Sequence, residues 1–480
     1  MHTRFHSIAT ALLITLLLAG CAVGPEYQRA EVPVPQQFKE ATLSPEAAEK
    51  WQAAQPKDAL SRGRWWAIFN DPTLDALQDQ AASANQDLKA AAARVRQARA
   101  LRQTAQADRY PTIDGGFGPN RQRSSAAAQG LPDDAAASTV TLWRAQVGAS
   151  YEADLFGRIA SEVDAATADA QQSAALFESM KLALQADVAQ TYFTIRGLDA
   201  QLELYRRTVD LRSETLALVQ RRHREGDISE LDVARSRSAL ASAQSEALAI
   251  QRERAVAEHA LATLLGKTPA EFSLAANPLD RLPVNIPAGL PSSLLERRPD
   301  IAAAERAMAA ANARIGAAQA AFFPRLTLTG AMGYESAELG DLLQWSSRTF
   351  LLGPLIGTAL TLPIFDGGRR EAGVERARAR YEEDVAAYRQ TVLQAFREVE
   401  DGFASLRILG EQTQVQDLAV EQAARAAELS QIQYREGSVS YLDVIDADRE
   451  VLLQQRVSVK LDEDRALAAV ALVRAIGGGW

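Results

Sequence analysis

Apolar residues recur every seven positions from Leu184 to Val219. One seam reads Val188, Ile195, Leu202, Val209 and Leu216. The other reads Leu184, Thr191, Leu198, Tyr205 and Val219, with Arg212 breaking it. A sustained period of about 3.5 residues predicts a left-handed coiled coil. No proline falls between Arg158 and Arg222, and Gly197 is the only glycine there. At about 1.5 Å per residue this run makes a rod of roughly 100 Å. A second proline-free run of the same length goes from Arg369 to about Tyr434. A compact domain has no use for two such rods.

A different period governs four short segments. From Trp143 to Leu155 the odd positions are Trp, Ala, Val, Ala, Tyr, Ala and Leu, and the even ones from Arg144 to Asp154 are all glycine, polar or charged. This alternation predicts a strand with one apolar face. It recurs in Leu326, Leu328, Met332 and Tyr334, in Ile356, Leu360, Leu362 and Ile364, and weakly in Ile113 and Phe117. A soluble sandwich strand has the same pattern, but four strands make a poor free-standing sheet beside such rods. In lipid, strands must close into a barrel so that every backbone group is paired. Four per chain cannot close, so chains must pool them, two giving eight or three giving twelve. Tyr110, Phe156, Phe322, Phe323 and Phe365 cluster where the strands should meet the membrane surfaces. Segments 119–139 and 335–349 are the expected outer hairpin ends.

The chain also repeats itself. "HREGDISELDVAR" (223–235) and "YREGSVSYLDVID" (434–446) align at an offset of 211 residues. Segment 85–111 aligns with 298–324, and 154–166 with 363–377. A period this long is a tandem duplication, not a solenoid. Each half reads as helix, two strands, long helix, turn and return helix. In the turns, Gly226 and Gly437 suit the left-handed residue that ends a helix. Ser229 and Ser440, each with Asp three residues on, suit a capping box for the next helix.

Composition narrows the class. A net charge of -9 argues against nucleic-acid binding. No phosphate loop, nucleophile motif or metal-ligand spacing occurs, so no enzyme and no metal site is expected. The 13-residue apolar run "IATALLITLLLAG" is too short to span a bilayer and suits a signal peptide. It ends in Leu18-Ala19-Gly20-Cys21, which resembles a lipoprotein processing site. Cys21 is the only cysteine, and it is the expected lipid attachment. Ala22 after it fits sorting to the outer membrane. Cleavage would leave 51 basic and 61 acidic residues, a net charge of -10. The expected domains are a signal peptide (1–20), a lipid-anchored extended segment (21–70), a first repeat (71–266), an equatorial connector (267–297), a second repeat (298–475) and a tail (476–480).

The ordered set "CAVGPEYQRAEVPVP" (21–35), "WWAIFNDPTLDAL" (65–77), "RRPDIAAAERAMAAANARIGAAQAAFFPRLTLTG" (297–330), both REG/LDV turns and the final "GGGW" is similar to the outer membrane factor family. These are the TolC-like exit ducts of tripartite efflux pumps, and the likeness is closest to their lipoprotein subgroup. The resemblance implies a mainly helical chain with transmembrane strands, assembled as a homotrimer. Its twelve strands would form one barrel, and its twelve helices a periplasmic tunnel. It implies that the tips, Gly226, Asp227, Ile228 and Ser229 and likewise Gly437, Ser438, Val439 and Ser440, touch a periplasmic adaptor. It implies a periplasmic gate of acidic rings, which maps to Asp446, then Arg449, then Asp443. The first copy has Ala234 and Arg235 where the second has Ile445 and Asp446, so the gate falls to the second hairpin. The implied partners are outer membrane lipid, an adaptor, and an inner-membrane transporter of the resistance-nodulation-division class. An ATP-driven secretion duct is the nearest variant. A coiled-coil lipoprotein tethering membrane to wall would leave the strands unexplained. An adaptor would carry one hairpin, not two.

Overall fold

A computed structural model describes residues 23–35, 37–40, 63–127, 130, 132, 139–281, 297–352 and 358–478. Cys21 and the signal segment lie outside the described residues. The elements run α1 (Pro72–Ala84), α2 (Gln86–Ala107), β1 (Thr112–Arg123), β2 (Thr139–Ala153), α3 (Arg158–Arg224), α4 (Glu230–Leu264), α5 (Pro299–Ala320), β3 (Arg325–Ser336), β4 (Arg348–Leu352), β5 (Thr358–Thr361), α6 (Arg369–Arg435) and α7 (Tyr441–Ala475). The duplication is visible in the lengths. Helices α2 and α5 both have 22 residues, α3 and α6 both have 67, and α4 and α7 both have 35.

The chain divides into two compact units, Met1–Ala30 with Val95–Ser173 and Ala304–Tyr388, and Glu31–Arg94 with Ala174–Ala303 and Arg389–Trp480. The first holds the sheet. Strands β1, β2 and β3 pair antiparallel in that order, and both β4 and β5 pair with β3. The register lines up like with like. Val147 faces Gly115 and Met332, Met332 faces Phe350, and Leu326 faces Leu360. On the other face Arg144 stands opposite Glu335 and bonds it at 2.5 Å. Among the described residues no element covers the apolar face, where Phe117, Met332 and Phe350 are each about two-thirds or more exposed.

Three boundaries differ from the sequence reading. Strand β1 is a full 12 residues and takes in Pro119 to Arg123, which alternation alone had left in the loop. Glycines at 115, 116 and 118 dilute its apolar pattern. Strand β2 starts at Thr139, before the alternation becomes strict. The fourth strand is in two pieces. Gly330 pairs with Leu352 and Leu328 with Thr358, so the two pieces pair with β3 in registers that differ by four residues. Pairing ends at Thr361, so Leu362 and Ile364 are not part of the sheet, and Ile356 is outside the described residues.

The N-terminal segment is laid along α5 in this unit. Tyr27 donates to the Glu305 carboxylate at 2.7 Å, and Asn312 donates to the carbonyl of Pro25 at 2.9 Å. Asp154 and Asp366 play matching parts in the two repeats. Asp154 accepts from the amides of Ile159 and Ala160, and Asp366 from those of Gly368 and Arg370, which caps α3 and α6 where they leave the strands. Tyr110, Phe322 and Phe365 are exposed at these junctions, and Phe156 stacks on Phe323 at 4.8 Å.

The second unit has the main core. The motif "WWAIF" forms a short 3-10 turn whose Trp65, Trp66 and Phe69 are buried with Tyr192, Phe193 and Ile195 of α3 and Val470 and Val473 of α7. Trp66 donates to Asp75 at 2.8 Å, and Tyr192 to Asp71 at 2.5 Å, so neither polar tip is stranded in the core. The heptad residues Val188, Ile195, Leu198, Tyr205 and Val219 are buried, as the seven-residue period requires. The connector is clasped by ions: Arg196 and Arg254 both pair with buried Asp199, and they donate to the carbonyls of Ala275 and Leu274. Arg298, ahead of α5, pairs with Asp300 and Glu398 and also donates to the carbonyl of Ala475. Among the described residues, no helix is long and apolar enough to cross a membrane.

Gly197 interrupts α3 for a packing reason. A Cβ there would lie 2.7 Å from a carboxylate oxygen of Glu463, which is buried and held by Lys460 at 3.1 Å. Gly→Ala inside a helix ordinarily stabilises by about 1 kcal/mol. Here Gly197→Ala should lower the thermal midpoint followed by circular dichroism, because it displaces a buried, paired carboxylate. In a Glu463→Ala background the same change should raise it. Stabilisation by Gly197→Ala alone would contradict this packing.

Candidate functional site

The two REG turns are built alike. At the first, the amide of Asp227 donates to the carbonyl of Arg222 and that of Gly226 to His223, both at 3.0 Å. At the second, Ser438 donates to Gln433 at 2.9 Å and Gly437 to Tyr434 at 3.1 Å. This is the bond pair that ends a helix through a left-handed residue. Gly226 and Gly437 supply it at φ values of 84° and 77°, where a side chain would be strained. Each following helix opens with a capping box. The backbone amide and hydroxyl of Ser229 donate to Asp232 at 3.3 and 2.9 Å. Those of Ser440 donate to Asp443 at 2.9 and 2.7 Å.

Apolar residues finish each turn. Ile228 and Val439 precede the caps and are half-buried, and Val233 and Val444 stand five positions later in the fully buried cluster with Val219 and Tyr441. That spacing is the hydrophobic staple. Of the eight expected contact positions, Gly226, Asp227, Ser229, Gly437, Ser438 and Ser440 are exposed. Ile228 packs its side chain into the cluster, and the two serine hydroxyls are already bonded to carboxylates.

Of the three expected gate residues, Asp443 is committed to the cap. The Ser440 hydroxyl and amide hold its carboxyl below the usual carboxylate range. Asp446 and Arg449 are both exposed, with Oδ1 3.8 Å from Nη1, a loose pair one turn apart on α7. They border a cleft of about 450 Å³ that is also lined by Tyr205, Arg212, Glu246 and Arg456.

Other residues link the two hairpins near the turns. The guanidinium of Arg222 lies over the ring of Tyr434 at 5.2 Å, and Tyr441 donates to the hydroxyl of Ser236 at 3.5 Å. Within the first hairpin, Arg212, the residue that breaks the heptad seam, donates to the carbonyl of Ala239 at 2.6 Å, and burial lowers its pKa. Burial raises the pKa of Asp448, although the charge of Arg212 and a bond from Gln431 pull it the other way. The one signal of these links in the sequence was a charged residue on an apolar seam. Among the described residues, no group of three or more His, Cys, Asp or Glu side chains is placed to hold a metal ion.

The family profile described as "Outer membrane efflux protein" matches residues 77–267 and 290–478, one stretch per repeat. The chain belongs to the outer membrane efflux protein family. It is 36% identical to the toluene efflux pump outer membrane protein TtgI of Pseudomonas putida over 97% of both chains. It is 33% identical to the cation efflux system protein CusC of Escherichia coli, again over 97% of both. The open state of the Neisseria gonorrhoeae MtrE outer membrane channel superposes with a TM-score of 0.81 at 30% identity, over 96% of this chain and 98% of that one. The efflux protein therefore has the TolC-like fold, mostly helical with four strands per chain. It is a non-enzymatic outer membrane channel of efflux pumps that extends into the periplasm.

The Asp443 cap has a definite pH dependence. Its folded pKa is depressed, so the stabilisation is present above the ordinary carboxylate pKa and lost as pH falls through the folded value. Amide exchange in the first turn of α7 should speed up as pH is lowered from about 5 to about 2, after correction for intrinsic rates. Ser440→Ala should speed it severalfold at neutral pH. Equal protection in both proteins would show that the cap contributes nothing.

Proposed function

We propose that the chain acts as a homotrimeric exit duct, anchored by a lipid on Cys21, gated at its second hairpin and joined to its pump through the REG turns. One observation carries the reading. Among the described residues the sheet has two unpaired edges, β1 on one side and β4 with β5 on the other, and an uncovered apolar face. Neither edge can stay unpaired in hydrocarbon. Three copies would bring twelve strands, edge to edge, and twelve long helices. A second seam supports the same assembly: Ile408, Val415, Leu418, Leu429 and Ile432 lie exposed on α6 at coiled-coil spacings.

In this reading Asp446 of three copies would converge on the tunnel axis. Three unpaired carboxylates there would repel one another and attract cations. Arg449 would moderate that repulsion, and the Arg222–Tyr434 and Tyr441–Ser236 contacts would hold the second hairpin against the first. The exposed turn residues would meet a periplasmic adaptor, which in turn would connect to a transporter of the resistance-nodulation-division class. The duct would supply passage, and the transporter energy and choice of substrate.

Planar-bilayer recording tests the gate. Asp446→Ala should raise single-channel conductance severalfold, and Arg222→Ala should raise it too by releasing Tyr434. Unchanged conductance in both would remove the gate from this end of the hairpins. A photo-crosslinker on Ser438→Cys should capture the adaptor in cells, and one on Leu101→Cys should not. Equal capture from both sites would rule out the turns as the docking point.

A further inference from the structure

The loop between β3 and β4 should be among the wettest parts of the chain. It carries instead Leu343 at 75% and Trp345 at 79% exposure, with only Leu342 turned in. These side chains wall a groove of about 990 Å³ whose floor includes Phe117, Val147 and Met332. The floor is the apolar face of the sheet, which no other described element covers. Arg348 stands at the end of the groove. Register places it on that same face, opposite Tyr334, and its guanidinium lies over the Trp345 ring. Arg121 and Arg123 share the face too, at the alternate positions that follow Phe117 and Pro119. None of these three arginines pairs with a carboxylate among the described residues.

Topology places this end of the sheet. The helices α2, α3, α5 and α6 all join the strands at the opposite end from the β1–β2 and β3–β4 turns. With the helices leading into the periplasm, the groove and its arginines face the outer leaflet. We propose that the groove is a binding site for a phosphorylated glycolipid of that leaflet. An acyl chain lies along Phe117, Val147 and Met332 beside Trp345, and a headgroup phosphate pairs with Arg348. The groove is continuous with the lipid-facing surface, so an acyl chain can enter without leaving hydrocarbon. The cations on its rim complement phosphate, and arginine does so with a planar, bidentate fork. Trp345 fits the same boundary, where aromatic rings sit at headgroup level.

The test uses the full-length protein in phosphatidylcholine vesicles containing diphosphoryl lipid A, re-extracted in mild detergent. Lipid A retained per chain is then counted by native mass spectrometry. The wild type should retain it, Arg348→Gln should retain about tenfold less, the loss of one charge-assisted contact, and Trp345→Ser should also retain less, the loss of apolar contact with the acyl chain. Arg348→Lys should fall between. Single-channel conductance of the same samples reports whether the duct itself is intact, so this proposal can fail while that reading stands. Equal retention by wild type and Arg348→Gln would overturn the site. Equal retention of phosphatidylglycerol, offered at the same charge, would overturn the assignment to a glycolipid. A change in the number of copies per particle with no change in lipid would make the groove a contact between copies, which also overturns it.

Discussion

A strand edge in hydrocarbon has no water to satisfy it. The rest of this structure follows from that constraint. Each chain supplies a sheet that is apolar on one face, polar on the other and, among the described residues, open at both sides. Cross-strand register sorts the faces, with Val147 beside Met332 and Arg144 beside Glu335. A sheet like this is not stable alone in lipid, and it becomes stable when other copies close it. The polar face then lines a water-filled passage, and no further chemistry is needed for a channel.

The duplication halves the design problem. Two helical hairpins of equal length are made from one pattern, each ended by glycine and restarted by a serine–aspartate cap. The copies differ just after the turns: the second has Ile445 and Asp446 in place of Ala234 and Arg235, so an exposed carboxylate on one hairpin stands where the other has a guanidinium. Between the hairpins near the turns, one arginine lies over one tyrosine and one tyrosine bonds one serine, beside a small apolar cluster of Val219, Val233, Tyr441 and Val444. That cluster is far smaller than the buried core around Trp65, Tyr192 and Val470.

Much of this was legible in the sequence, for a physical reason. Heptads, strict alternation and capping motifs are local rules, and they placed the rods, β2, β3 and both turns. β1 was faint because Gly115, Gly116 and Gly118 remove the side chains that make alternation visible. The alternation through Leu360 marks only part of the fourth strand, because the pairing of Arg348–Leu352 in a shifted register depends on a partner strand that local pattern cannot see. The same limit hid the long-range contacts. Arg212 read as a flaw in a seam, and only the fold shows it bonding the carbonyl of Ala239 on the return helix. Gly197 was noted as the one glycine in its rod, and its purpose is a carboxylate 266 residues away in the chain.

The central claim is that one copy cannot close the channel. Light scattering of the detergent-extracted protein, with detergent mass subtracted, measures the number of chains per particle directly. The account predicts a single species of three chains that conducts ions when reconstituted. A monodisperse single chain that still conducts would contradict it.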